Sequence, residues 1–152
     1  MPPIPQPAML DLLIDTNVIL DVLLARQPWA ADAVRLFDAV ERGTARGFIA
    51  AHAITTIYYV MDKERGRQAA VLAVSDLMQM FTVVAIGEPE IHRAVAMNLA
   101  DFEDAVQVAA YLAADARYIV TRNKKDFKGA PAAAYTSGEI LALLTNSRET
   151  AE

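Results

Sequence analysis

Three aspartates, each next to a short apolar run, are the residues of this chain best suited to chemistry: Asp15 at the end of LLID, Asp104 in FED, and Asp126 in TRNKKDF. Carboxylates brought together repel, raise one another's pKa and destabilise the fold that gathers them. A divalent cation reverses that cost. The chain has no cysteine and only two histidines, His52 and His92, so a thiolate site is excluded and a zinc site would lean on carboxylates. Hard cations held by oxygen, Mg²⁺ or Mn²⁺, are the better expectation. Such an ion lowers the pKa of a bound water and stabilises charge on a phosphate. Metal-dependent hydrolysis of a phosphodiester uses both.

Each acid also has a plainer reading. Asp15, followed by Thr16 and Asn17, stands where a helix cap would stand. Asp101 and Asp104 are three apart, the spacing of a capping box, and acids there suit a helix N-terminus. Asp126 fits an ordinary turn. The metal reading rests on all of them falling at one end of the same sheet.

The elements that would put them there follow from periodicity. Asp11 to Asp15 reads as a buried strand and Thr16 to Leu24 as a helix, with Val18, Ile19, Val22 and Leu23 at helical spacing. Pro28 opens a second helix that Gly43 ends. Strands are expected at 46–50, 81–86, 118–120 and near 132–135. Helices are expected at 52–63, 67–80, 88–99 and 103–114, with a last one, capped by Thr136 or Ser137, running to about Leu144. Strands alternating with helices predict an α/β fold in three layers, α/β/α, with a central, mostly parallel sheet. Ligands of such sheets gather beyond the carboxyl ends of the strands, where Asp15 and Asp126 fall. Asp104 opens the helix before the Tyr118 strand, with Asp101 and Glu103 beside it.

The length of 152 residues suits one domain, and 55% apolar residues can fill its core. Residues 1–10 read as a flexible lead-in without a targeting signal, 11–145 as the domain, and 146–152 as a polar tail. The longest charge-free apolar stretch, Phe48 to Met61, is too short for a membrane span, so a soluble cytoplasmic protein is expected. The net charge of −5 counts mildly against a nucleic-acid partner, although acids around a bound ion do not repel RNA as bare ones do.

The blocks LLIDTNVILDVLL and FEDAVQVAAYLAADARYIVTRNKKDF resemble the PIN-domain family, and especially its VapC-like toxin ribonucleases, over about Leu12 to Leu144. The resemblance implies a PIN-like fold and Mg²⁺- or Mn²⁺-dependent cleavage of RNA. It places Asp15, Asp104 and Asp126 as catalytic metal ligands, with Asn17, Thr121 and Asn123 ordering the site and Glu103 as an auxiliary acid. It further implies an antitoxin partner and a homodimer. One departure stands out. Many members carry a glutamate early in the helix after the second strand, where this chain has AHAITTIYYV, with Thr55 and Thr56. Asp21 or Glu103 is a candidate substitute; a related subgroup with an ITTIYY-like stretch shares the gap.

Arg122, Lys124 and Lys125, with Lys128, crowd the Asp126 loop and are candidates to hold RNA phosphates, or form a solvated loop. Lys63, Arg65 and Arg67 read as a solvated helix end, and Tyr58 as core. His52, near a strand end, reads as a packing or polar residue within approach of the site; Trp29 packs at the start of its helix or marks a partner surface. Two other functions compete with a nuclease. One is a PIN-fold module that has lost catalysis and binds RNA or protein. The other is an aspartate-based phosphoryl-transfer domain, disfavoured because Asn17 stands where a second acid belongs.

Overall fold

Leu12, Leu13 and Ile14 are wholly buried, and they face alternate sides. Leu12 and Ile14 join one core, Leu13 the other. A strand covered on both faces must be apolar at every position, and this run is. The computed structural model, which describes residues 9–151, makes it the middle of a five-stranded sheet. β1 (Leu10–Ile14) lies between β2 (Ala45–Ala50) and β4 (Tyr118–Val120), with β3 (Thr82–Val84) and β5 (Ala134–Tyr135) at the edges. The order is β3-β2-β1-β4-β5 and all four pairings are parallel. Asp11 of β1 is in register with Arg46 of β2. The guanidinium grips both its carboxylate oxygens, at 2.7 and 2.8 Å, which pins that register at the surface.

Parallel strands need crossovers, and helices supply them. α1 (Thr16–Leu23), α2 (Ala30–Glu41), α3 (Ala51–Arg65), α4 (Arg67–Met80) and α7 (Ser137–Ala151) contribute to the core that holds Leu12, Ile14, Ile49 and Val120. α5 (Glu88–Met97) and α6 (Phe102–Ala113) cover the opposite face, over Leu13, Val84 and Ile119. The expected three-layer α/β/α arrangement is therefore present. No helix among the described residues is long and apolar enough to cross a membrane.

Several boundaries differ from expectation. α2 starts at Ala30, with Trp29 at its N-cap, not at Pro28. β3 is shorter than 81–86, running Thr82–Val84, and Phe81 just before it packs edge-on to Phe37 at 5.0 Å. A side chain at Gly47 would strike that Phe81 ring, so β2 needs a glycine there. α7 continues to Ala151, well past Leu144. Nothing after Gly138 breaks a helix, so the stretch read as a polar tail is helical through 151. β1 already includes Leu10, and residues 1–8 of the lead-in lie outside the described residues.

Candidate metal centre

The strand order reverses between β1 and β4, and Asp15 leaves the sheet at that crevice. Its N–H donates to the Val120 carbonyl at 2.9 Å, so the ends of β1 and β4 are tied together. Asp15 occupies the N-cap position of α1 yet makes no side-chain capping bond. Its carboxylate, nearly buried, instead accepts a hydrogen bond from Thr121 Oγ1 at 2.9 Å. The Asn123 N–H in turn donates to Thr121 Oγ1 at 3.1 Å, so the residues after β4 hold Asp15 through a short chain of donors. Burial raises the Asp15 pKa. The Thr121 hydroxyl and the Thr16 backbone N–H oppose this, while Glu103 and Asp126 push it further up.

α6 delivers the second carboxylate. Its N-cap is Asp101, whose Oδ1 accepts the Asp104 backbone N–H at 3.1 Å. The capping role therefore falls on Asp101 and leaves the Asp104 carboxylate free of it. Asp104 is pushed up from 3.8 to about 7, first by burial and then by Asp101, Asp15, Asp126 and Glu103. Four acids from three segments thus act on one half-buried carboxylate. Asp126, exposed in the short 3-10 turn Lys124–Phe127, joins the group electrostatically. The donors are all hard oxygens, which fits Mg²⁺ or Mn²⁺. Among the described residues no three acids or histidines stand at ligating spacing around one point. The carboxylates lie within electrostatic reach of one another, not in a closed cage.

The model of the PIN domain matches residues 11–125, which include Asp15 and Asp104 and stop one residue short of Asp126. This chain belongs to the PIN-domain family. Solved structures share the fold at low identity. VapBC2 of Rickettsia felis, bound to a DNA fragment from its promoter, is 11% identical with a TM-score of 0.67, over 84% of this chain and 98% of that one. VapC20 of Mycobacterium tuberculosis, a sarcin–ricin loop-cleaving toxin, is 16% identical with a TM-score of 0.64, over 80% and 95%. A toxin–antitoxin complex from Klebsiella pneumoniae is 24% identical with a TM-score of 0.63, over 82% and 96%. No curated protein matches.

In this PIN domain the other candidates divide into those at the cluster and those elsewhere. Glu103 is at the cluster, exposed, and acts on Asp15, Asp104 and His52. Asn17 is half-buried in the first turn of α1. Asp21 has different partners. It is buried and its Oδ2 pairs with Arg122 Nε at 3.6 Å. Burial raises its pKa, and Arg122 and Arg26 lower it. The charged groups that act on Asp21 are these two arginines, not the acids that act on Asp104. Arg122 is committed twice, to Asp21 and to the Trp29 ring, whose centre is 3.9 Å from its guanidinium carbon. Lys124 pairs with Glu139 at 2.9 Å, which leaves Lys125 and Lys128 as exposed cations of that loop. The sequence reading missed Gln107 and Thr16. Both are buried, and Gln107 Nε2 donates to Thr16 Oγ1 at 3.1 Å, joining α6 to the residue after Asp15. A lone glutamine inside the apolar run AVQVAA was the available signal.

Proposed function

We propose that this PIN domain is a metal-dependent endoribonuclease that hydrolyses RNA phosphodiester bonds, acting as the toxin of a toxin–antitoxin pair. The observation that carries this reading is the convergence of Asp15, Asp101, Glu103 and Asp126 on Asp104, a concentration of negative charge that a divalent ion would relieve. Asp15, Asp104 and Asp126 would hold the ion. Bound Mg²⁺ or Mn²⁺ would supply a water of lowered pKa and offset charge on the scissile phosphate. The chain's own residues do the positioning. Thr121, itself held by the Asn123 N–H, fixes Asp15 and keeps its oxygen oriented. Asp101 holds the α6 terminus so that Asp104 faces the cluster unencumbered. Lys125, with Lys128, would draw the RNA backbone toward an otherwise acidic crevice. The partner would be a small antitoxin covering that crevice, since relatives of this fold were solved as toxin–antitoxin complexes.

A second reading keeps the fold and drops catalysis: a PIN module that binds RNA or protein. It is favoured by the threonines in AHAITTIYYV and by the absence of a closed ligand set among the described residues. Cleavage of a labelled RNA across an Mn²⁺ and Mg²⁺ titration separates the two. The nuclease requires metal-dependent product that disappears on adding chelator and in Asp104→Asn. Equal cleavage with and without divalent ions would sink it, and RNA binding without cleavage would favour the module.

A further inference from the structure

Resting on the reading of this chain as a ribonuclease, we propose that the pocket between Trp29, Arg122 and the start of α7 is a base-recognition subsite, taking a guanine of the RNA near the cleaved bond. Arg122 in its lining directly follows Thr121, the residue that holds Asp15. Ser137 in its lining opens α7 after β5, and β5 pairs with β4 in parallel. The pocket therefore stands at the carboxyl ends of β4 and β5, one strand along from the crevice between β1 and β4. An RNA strand with a phosphate at Asp15 would pass it with a neighbouring nucleotide. Its volume is about 210 Å³. That is below the roughly 300 Å³ at which sites for drug-sized ligands begin, and suits a fragment such as one base.

The lining selects the ligand. Trp29 is 44% exposed and offers an aromatic surface for stacking. Asp21 is 1% exposed. Its Oδ2 stands 3.6 Å from Arg122 Nε, an ion pair too long for a hydrogen bond, and its Oδ1 is buried without a partner. A native acceptor in that state calls for a donor. Asp32 adds a second carboxylate at the start of α7, where a Cβ on Gly138 would stand 3.0 Å from Asp32 Oδ2. Two carboxylates turn away a phosphate. Arg122, already over the Trp29 ring at 3.9 Å, disfavours a second cation there. A neutral, planar group that donates hydrogen bonds meets neither objection. Among the bases, guanine alone sets two donors side by side, N1–H and the N2 amine, the pair a carboxylate accepts together. Its neighbouring O6 accepts, and the Ser137 hydroxyl and Arg122 are donors in the same lining. Uracil flanks its one N–H with carbonyls, and adenine and cytosine flank their amine with a ring acceptor, so each sets a lone pair against the carboxylates.

Trp29 is the chain's one tryptophan, so its fluorescence reports on the pocket directly. The full chain, in chelator, is titrated with guanosine, inosine, cytidine and uridine 5′-monophosphates. Guanylate should quench Trp29. Inosine monophosphate, which lacks the N2 amine, should need roughly tenfold more for the same effect, the worth of one hydrogen bond to a charged group. The pyrimidine nucleotides should do little. Asp32→Asn changes an exposed side chain and should weaken guanylate about tenfold while leaving uridylate as it was. Equal quenching by all four nucleotides, or by none, overturns the proposal, and so does quenching by argininamide alone, which would give the pocket to a protein partner. The nucleotide series needs no variant, so poor folding of Asp32→Asn does not blunt it. None of these measurements needs metal or cleavage. A chain that cuts RNA with Mn²⁺ but ignores guanylate keeps the nuclease reading and loses the subsite. One that binds guanylate without cutting RNA keeps the guanine site and loses the nuclease.

Discussion

Asp104 shows how burial and like charge combine on one side chain. Its value in the folded chain is about 7 against 3.8 for a free aspartate, so between those pH values the native state holds a proton that the unfolded chain releases. Stability from this group is therefore fully present below about pH 4 and is lost as pH rises through about 7. Asp15 and Asp21, both raised, push the same way, while His52, lowered by burial, pushes the opposite way below its usual value. A difference measurement isolates Asp104. In chelator, Asp104→Asn should match the natural chain near pH 4 and be more stable at pH 8. The gain should be on the order of 1 to 2 kcal/mol, once solvent screening of a half-buried group is allowed for. Urea midpoints across that range read it directly, and a natural chain more stable than the variant at pH 8 without metal would contradict the account. The sequence made Asp15, Asp104 and Asp126 legible because strand ends and a helix start place backbone positions at one edge. It could not show that Asp21, well inside α1, pairs with an Arg122 that also lies over the Trp29 ring, because that depends on helix phase and on how α1 and α2 pack.

At the scale of elements, α6 begins on a division of labour. Asp101 takes the backbone N–H of Asp104 and also raises the Asp104 pKa, so it stabilises the helix and burdens the site with the same carboxylate. The two roles separate by substitution. Asp101→Asn keeps a capping oxygen while removing the charge, and should hold or slightly raise metal-free stability. Asp101→Ala loses the cap and should cost about 1 kcal/mol. Thermal unfolding in chelator distinguishes them; equal losses in both variants would mean the cap contributes nothing. α7 opens on a full capping box, Thr136 Oγ1 accepting the Glu139 N–H at 3.2 Å and Glu139 Oε1 accepting the Thr136 N–H at 3.0 Å. That start was readable from Thr136 and Ser137. Its end was not, since the polar residues after Leu144 carry no periodic signal and α7 continues through them. Element existence came from alternation and spacing, as at Leu12 to Ile14. The Phe81–Phe37 contact at the start of β3 did not, because only the packed layers bring those two rings together.

For the molecule as a whole, a net charge of −5 weighs mildly against an RNA substrate, and neutralising the acids at the crevice would remove that penalty where the substrate would bind. The same neutralisation should appear as global stability. An ion that binds the folded chain alone, at a concentration a hundredfold above its Kd, adds about 2.7 kcal/mol. For a domain of this length that corresponds to roughly 5 to 10 °C in Tm. Protons compete with the ion for Asp104, which holds its proton up to about pH 7. The Mn²⁺-induced rise in Tm should therefore be small at pH 5.5 and large at pH 8, as the metal-free chain loses stability and the loaded chain keeps it. Scattered surface binding would give a rise that salt erases, since exposed charges are screened within about 8 Å at physiological ionic strength. Ion held in the crevice between α1, α6 and β4 should keep most of its effect in moderate salt. Calorimetric scans with and without Mn²⁺ at the two pH values, repeated for Asp104→Asn, decide the matter. A rise of the same size at both pH values, or one retained by the variant, would place the bound metal somewhere other than these carboxylates.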